Sequence, residues 1–168
     1  MKYKTFIILL FILLNNVACK VNYSFSGVNI SKETKTYQVD FFPNNADLVV
    51  PGLNDDFRNM LIDEIDQKTN LNLVKNNGDL IFQGEITDYY IEPVALTANQ
   101  TAAKNRLTIK IKIDYTNTKN EEENISKTYS WYYDYDAGLT RYDIEADAHK
   151  EILEHIIEYL FKDTITKW

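Results

Sequence analysis

Strict alternation of apolar and polar residues between positions 107 and 115 is the feature that most constrains the fold of this chain. The apolar positions are Leu107, Ile109, Ile111, Ile113 and Tyr115, and the polar positions between them are Thr108, Lys110, Lys112 and Asp114. Successive side chains of a β-strand point to opposite faces, so one face of this segment is apolar and the other polar. We therefore predict a strand that is buried on one side only.

Two segments have the apolar spacing of an amphipathic helix. Residues 53–67 carry apolar residues three and four positions apart, and residues 143–161 repeat an apolar position every four residues. Each helix should lie with one stripe against a sheet. The stripes comprise Leu53, Phe57, Met60, Leu61 and Ile65 in the first helix, and Ile144, Ala148, Ile152, Leu153, Ile156, Ile157, Leu160 and Phe161 in the second.

A first strand is predicted before these helices. Residues 36–42 alternate, with Tyr37, Val39 and Phe41 on one predicted face, and the alternation stops at Pro43. β-Branched and aromatic residues that end at a proline are typical of a short strand.

Two more strands are predicted on either side of the central one, at residues 79–91 and 125–136. Whether residues 71–74 form a separate strand stays open at this point. The order β-α-β-β-β-α favours an α+β two-layer sandwich, with both helices on one face of a roughly four-stranded mixed or antiparallel sheet. Residues 36–168 are expected to form this single domain.

The N-terminal segment is typical of a secreted lipoprotein. Lys2 and Lys4 precede an apolar block, residues 6–14, that is too short to cross a bilayer, so residues 1–18 are predicted to be a signal peptide. Cys19, the only cysteine, has no disulfide partner within the chain. We expect it to be lipidated with acyl chains such as palmitate, and residues 19–35 to be a tether. The alternative is ordinary secretion with a spare buried or reactive thiol.

Composition argues against several functional classes. Without Lys2 and Lys4 the chain has 16 basic and 25 acidic residues, a net charge of −9, which disfavours nucleic-acid binding. No nucleotide-binding loop, metal-ligand cluster or Ser/His/Asp set occurs, so we expect no enzyme, metal or cofactor. His149 and His155 are six positions apart on the second helix and are expected at its surface, each beside a glutamate.

A row of cations is predicted on the polar side of the central strand. Lys104, Arg106, Lys110 and Lys112 all have even numbers, so an extended chain points them to one side of the sheet. Guanidinium and ammonium groups bind phosphates, which makes this row a candidate ligand patch. The alternative is a solvated strand face, or pairing with Glu85 and Thr87 across the sheet.

Aromatic residues crowd the last predicted strand. Tyr129, Trp131, Tyr133 and Tyr135 share one parity and are expected to pack under the helices, whereas Tyr132 falls on the opposite face. A tyrosine there offers a large contact area with little loss of rotamer freedom. Tyr132 is therefore a candidate partner contact.

Several blocks together resemble a known family. These are Cys19 followed by YSFSG, then VDFFPN, NGDLIFQGEITDY with the following PVAL, and NRLTIKIKIDYTN. In this order and spacing they resemble LptE-type lipopolysaccharide-assembly lipoproteins, in a divergent form. Asn16 departs from the leucine that is usual before the lipidated cysteine.

The resemblance implies a non-enzymatic protein that is lipid-anchored on the periplasmic side of the outer membrane. Family members plug the β-barrel LptD, help it assemble and assist lipopolysaccharide delivery to the outer leaflet. The expected partners are therefore an LptD-type barrel, lipopolysaccharide and the membrane. The alternative is a periplasmic binding or inhibitor lipoprotein that acts alone on a soluble ligand.

Overall fold

The computed structural model describes residues 30–94 and 103–166, which fold into five strands and two long helices. The elements are β1 (Thr36–Val39), α1 (Leu53–Lys68), β2 (Asn72–Leu73), β3 (Leu80–Val94), β4 (Lys104–Asn117), β5 (Ile125–Asp136) and α2 (Arg141–Phe161). A short 3-10 turn (Glu121–Glu123) joins β4 to β5, and a π-helical turn (Lys162–Thr166) follows α2.

The strands form one mixed sheet in the order β2-β1-β3-β4-β5. β1 runs parallel to both β2 and β3, whereas β3, β4 and β5 are antiparallel. The predicted α+β sandwich is confirmed, and the open question about residues 71–74 is answered by the two-residue strand β2.

The core lies on the odd-numbered side of β4, as the alternation predicts. Ile111 is fully buried and stands directly between Ile86 of β3 and Tyr129 of β5. Lys112, the next residue, is only half-buried and points the other way. Apolar residues from all three long strands therefore share one face.

Both helices cover that same face. The buried residues of α1 are Leu53, Phe57, Leu61 and Ile65, and all eight apolar positions predicted for the second helix are buried in α2. These side chains join the odd-numbered residues of β4 in a single apolar cluster. Among the described residues, neither helix packs against the opposite side of the sheet.

The prediction that Phe41 joins the core face was wrong. Phe41 is 64% exposed, and Phe42 is buried in its place, with its ring 4.9 Å from that of Phe57. β1 ends at Val39, which is paired with Phe82, and the next bridge to β3 joins Asn44 to Ile86. Five residue steps on this segment therefore match four on β3, and the extra residue breaks the two-residue period, which sequence alternation alone does not reveal.

The surface position expected for His149 was also wrong. His149 is 7% exposed, and its Nε2 lies 3.2 Å from the hydroxyl of Tyr89. Burial lowers the pKa of His149, although the carboxylates of Glu145 and Asp56 act in the opposite direction. His155 is partly exposed, as expected, and its ring lies 4.3 Å from that of Trp131.

The strand register can be tested by truncating two adjacent side chains. Ile111→Ala should cost about 2–4 kcal/mol of unfolding free energy, because it removes buried methyl groups and leaves a cavity. Lys112→Ala should cost less than about 0.5 kcal/mol. Urea unfolding of both variants measures these differences, and equal costs would contradict the register.

The buried histidine should make stability depend on pH. The unfolded state takes up a proton near pH 6.5, whereas the lowered pKa of His149 delays protonation of the folded state. Stability that is present above about pH 6.5 is therefore lost as the pH falls below it. Unfolding curves at about pH 7.5 and pH 5.5 should show a smaller loss for His149→Gln than for the unaltered chain. If the loss between these two pH values were as large in His149→Gln as in the unaltered chain, the buried histidine would not be its cause.

Candidate functional site on the uncovered sheet face

The side of the sheet away from the helices, called here the outer face, carries all four cations predicted from the sequence. The strand register places each of them between one residue of β3 and one of β5. Lys104 lies between Val94 and Asp136, Arg106 between Glu92 and Asp134, Lys110 between Asp88 and Ser130, and Lys112 between Glu85 and Thr128. Four even-numbered residues of β4 thus form a row of positive charge, which is interrupted by Thr108 and followed by Asp114.

Carboxylates line both sides of this row. The acidic residues of the outer face are Glu85, Asp88, Glu92, Asp114, Asp134 and Asp136. Each cation therefore has at least one carboxylate directly across from it on a neighbouring strand. The outer face alternates in charge and is not the purely basic patch that the sequence of β4 suggested.

Arg106 is fixed by two contacts on its own sheet. Its Nε and Nη2 donate to the two carboxylate oxygens of Asp134, at 2.6 and 2.8 Å. Its guanidinium carbon lies 3.6 Å from the ring centre of Tyr132. The hydrogen bonds to Asp134 raise the pKa of Arg106 and lower that of Asp134. The two guanidinium N–H donors that could bind a phosphate are thus already occupied by Asp134.

The lysines are held more loosely. The Nζ of Lys110 lies 3.5 Å from the carboxylate of Asp88, a long ion pair between partly exposed groups that is worth little. Lys112 faces Glu85, but that carboxylate accepts a 2.6 Å hydrogen bond from Asn45. Within the described ranges, neither Lys104 nor Lys112 forms an ion pair. These ammonium groups can turn towards an anionic ligand.

Two tyrosines flank a buried threonine in the middle of the outer face. Thr108 is 6% exposed and lies in register between Tyr90 of β3 and Tyr132 of β5, which are 37% and 42% exposed. Their rings offer apolar area beside the cations. Tyr132 thus lies on the face predicted for it.

Sequence reasoning missed Tyr90 because of an irregularity in β3. The register shifts between Ile86 and Asp88, where Thr87 is inserted as an extra residue. Before the bulge Ile86 faces the core, and after it the odd-numbered Tyr89 does so and Tyr90 points outward. Only the pairing with β4 reveals this change of parity.

A shallow groove adjoins one end of the outer face. It is lined by Asp40, Phe41, Pro43, Gln83, Gly84, Glu85, Lys112 and Asp114. The groove therefore offers the exposed ring of Phe41 and the ammonium of Lys112, but its three carboxylates oppose an anionic ligand.

The remaining features concern Cys19, metal binding and membrane-spanning helices. Cys19 lies outside the described residues. Within residues 30–94 and 103–166, no cluster of three His, Cys, Asp or Glu side chains is arranged to hold a metal ion. Over the same ranges, no helix has the combination of length and apolar composition needed to cross a bilayer.

Solved structures of several bacterial lipoproteins are weakly similar to this chain. A minor lipoprotein from Acinetobacter baumannii is 11% identical, with a TM-score of 0.49 over 77% of this chain and 91% of that one. The rare lipoprotein B from Shewanella oneidensis is 11% identical, with a TM-score of 0.44 over 75% and 89%. Lipoprotein B from Nitrosomonas europaea is 14% identical, with a TM-score of 0.42 over 77% and 81%.

No curated protein matches the chain significantly. The family assignment comes instead from a family model for lipopolysaccharide assembly, LptE, which matches residues 34–164. That match spans all five strands and both helices described above. The chain belongs to the LptE lipopolysaccharide-assembly family.

Proposed function

We propose that this protein is a lipid-anchored component of the outer-membrane machinery that transports lipopolysaccharide. It would plug an LptD-type β-barrel, help that barrel assemble and assist insertion of lipopolysaccharide into the outer leaflet, without catalysing a reaction. The observation that carries this proposal is the family match over residues 34–164, which includes the whole sandwich.

The outer face is the proposed contact for lipopolysaccharide. The phosphates of lipopolysaccharide would be bound by Lys104, Lys110 and Lys112, whose ammonium groups are free or only weakly paired. Arg106, already forked onto Asp134, would contribute positive charge and hold the Tyr132 ring in place. Lys110 must exchange its weak contact with Asp88 for a phosphate.

Apolar area on the same face supports this assignment. The ring of Phe41 is exposed in the groove that Lys112 also lines, and Tyr90 and Tyr132 are exposed farther along the sheet. Lipopolysaccharide carries acyl chains beside its phosphates, so it could contact the exposed rings with the former and the lysines with the latter.

Attachment to the membrane is proposed to depend on Cys19. If its thiol carries acyl chains, Cys19→Ser should shift the protein from the membrane fraction to the soluble periplasm, because the acyl chains that attach it to the membrane are lost. Fractionation followed by immunoblotting measures the shift. A wild-type protein that takes up no labelled fatty acid would contradict the lipidation.

Charge reversal tests the proposed lipopolysaccharide contact. Lys110→Glu combined with Lys112→Glu should weaken binding to purified lipopolysaccharide about tenfold or more, since two attractions become repulsions. Binding of the unaltered protein should also fall as salt rises, because the charges are screened. Fluorescence titration in low salt measures both effects.

Two matched variants control for charge and for folding. Lys75→Glu combined with Lys150→Glu makes the same change in net charge at exposed positions away from the outer face, and should bind normally. Lys110→Gln combined with Lys112→Gln removes both charges without adding repulsion towards Asp88 and Glu85. If the reversal and the matched double variant bound equally well, the outer face would not be the contact.

A further inference from the structure

β5 is an edge strand that lacks most of the features that normally protect a sheet edge. It pairs with β4 through twelve consecutive residues, Ile125 to Asp136, without a shift in register. Within residues 30–94 and 103–166, no strand pairs with its other side. Natural sheets blunt such edges with short strands, prolines, bulges or charges, because unpaired backbone groups can pair with another chain. β5 is long and contains neither a proline nor a bulge.

The charged residues of β5 protect only the two ends of this edge. Lys127 lies near the start of the strand, and Asp134 and Asp136 lie near its end. A charge on an edge opposes pairing, because an added strand would bury it or place a like charge opposite. Residues 128–133 between them carry no charge. Charge therefore does not protect the middle of the edge.

Two stacked rings lie at this uncharged middle. Trp131 and Tyr132 are neighbours in β5, so their side chains leave the strand on opposite faces of the sheet. Their rings are nevertheless nearly parallel, at an angle of 17°, with centres 5.7 Å apart. Rings that stood upright on the two faces would have β5 between them, and rings tilted inward would have β4 between them. Only beyond the open edge of β5 does no backbone separate the two rings.

α2 holds the Trp131 ring from the helix side. The centre of this ring lies 4.3 Å from that of His155 and 5.7 Å from that of Tyr159, and both partners belong to α2. Trp131 is partly buried and packs against the apolar core. The position of the indole is therefore fixed by the helix that covers the sheet.

Arg106 holds the Tyr132 ring from the outer face. Its guanidinium carbon lies 3.6 Å from the ring centre, where the face of a tyrosine ring attracts a cation. Two hydrogen bonds to Asp134 fix the guanidinium in turn. Since Arg106 belongs to β4 and Asp134 to β5, the ring is held by groups on two strands.

We propose that the stacked rings of Trp131 and Tyr132, called here the edge cover, block the addition of a further strand to β5 and keep the protein monomeric. An added strand would lie about 4.8 Å from β5, in the space that these rings occupy. Displacing the rings would break their contacts with His155, Tyr159 and Arg106. The edge cover agrees with a plug of one copy per barrel, but it depends on no ligand or partner of the proposed function.

Removal of the two rings should open the edge to self-association. Trp131→Ala combined with Tyr132→Ala should raise the association constant about tenfold or more, because the middle of β5 then has neither ring nor charge. Sedimentation of the exported full-length chain with Cys19→Ser, up to about 100 µM, measures association without acyl chains. Without the alanine substitutions this chain should stay monomeric throughout the series. Trp131→Phe combined with Tyr132→Phe keeps a flat ring at both positions and should also stay monomeric.

Two further variants separate strand pairing from loss of stability. Ile111→Ala weakens the core but leaves the edge cover in place, so it should remain monomeric while it is folded. Adding Ser130→Lys to the double alanine variant places an exposed charge beside the missing rings and should restore the monomer. If the double alanine variant does not fold, Tyr132→Ala alone takes its place, because that side chain is 42% exposed.

The proposal requires a specific set of results. Association that follows loss of the rings, is reversed by Ser130→Lys and is absent from Ile111→Ala supports the edge cover. A ring-deleted variant that stays monomeric at every concentration overturns it. So does association that Ser130→Lys leaves unchanged, or that Ile111→Ala shows to the same extent.

Discussion

The in-register pairing of β4 with β3 and β5 is the constraint on which the other features of this protein depend. Because all three strands are paired directly, Ile109 and Ile111 each meet an apolar or aromatic residue on both flanking strands. The same pairing sends Lys110 and Lys112 to the side that neither helix covers. A shift of one residue would exchange the two faces, bury lysines and expose isoleucines.

The sequence predicts those features of the structure that depend on residues close together in the chain. The alternation in β4 and the stripes of both helices are local patterns, and the α+β sandwich followed from them. The extra residue that buries Phe42 in place of Phe41, the bulge that turns Tyr90 outward and the burial of His149 depend on contacts between distant segments. The parity of β4 alone could not show that acidic residues of β3 and β5 stand across from each cation.

The charge pattern of the outer face has a consequence for recognition. A row of cations between two rows of carboxylates attracts a phosphate only where the internal contact is weak, as at Lys110, or absent among the described residues, as at Lys112. The guanidinium of Arg106 instead donates hydrogen bonds to Asp134 and lies over the ring of Tyr132. As the proposed lipopolysaccharide contact, such a surface would favour ligands that place phosphates at the lysines and apolar groups at the exposed rings.

The central claim is that this chain works as part of an outer-membrane assembly. The most direct test is to isolate the tagged, full-length protein from detergent-solubilised outer membranes and identify by mass spectrometry what it carries. The account predicts an LptD-type β-barrel in about equal molar amount, as expected for a plug that occupies one barrel. Recovery of the chain without any barrel, after extraction that leaves barrels folded, would contradict the account and favour a binding lipoprotein that acts alone.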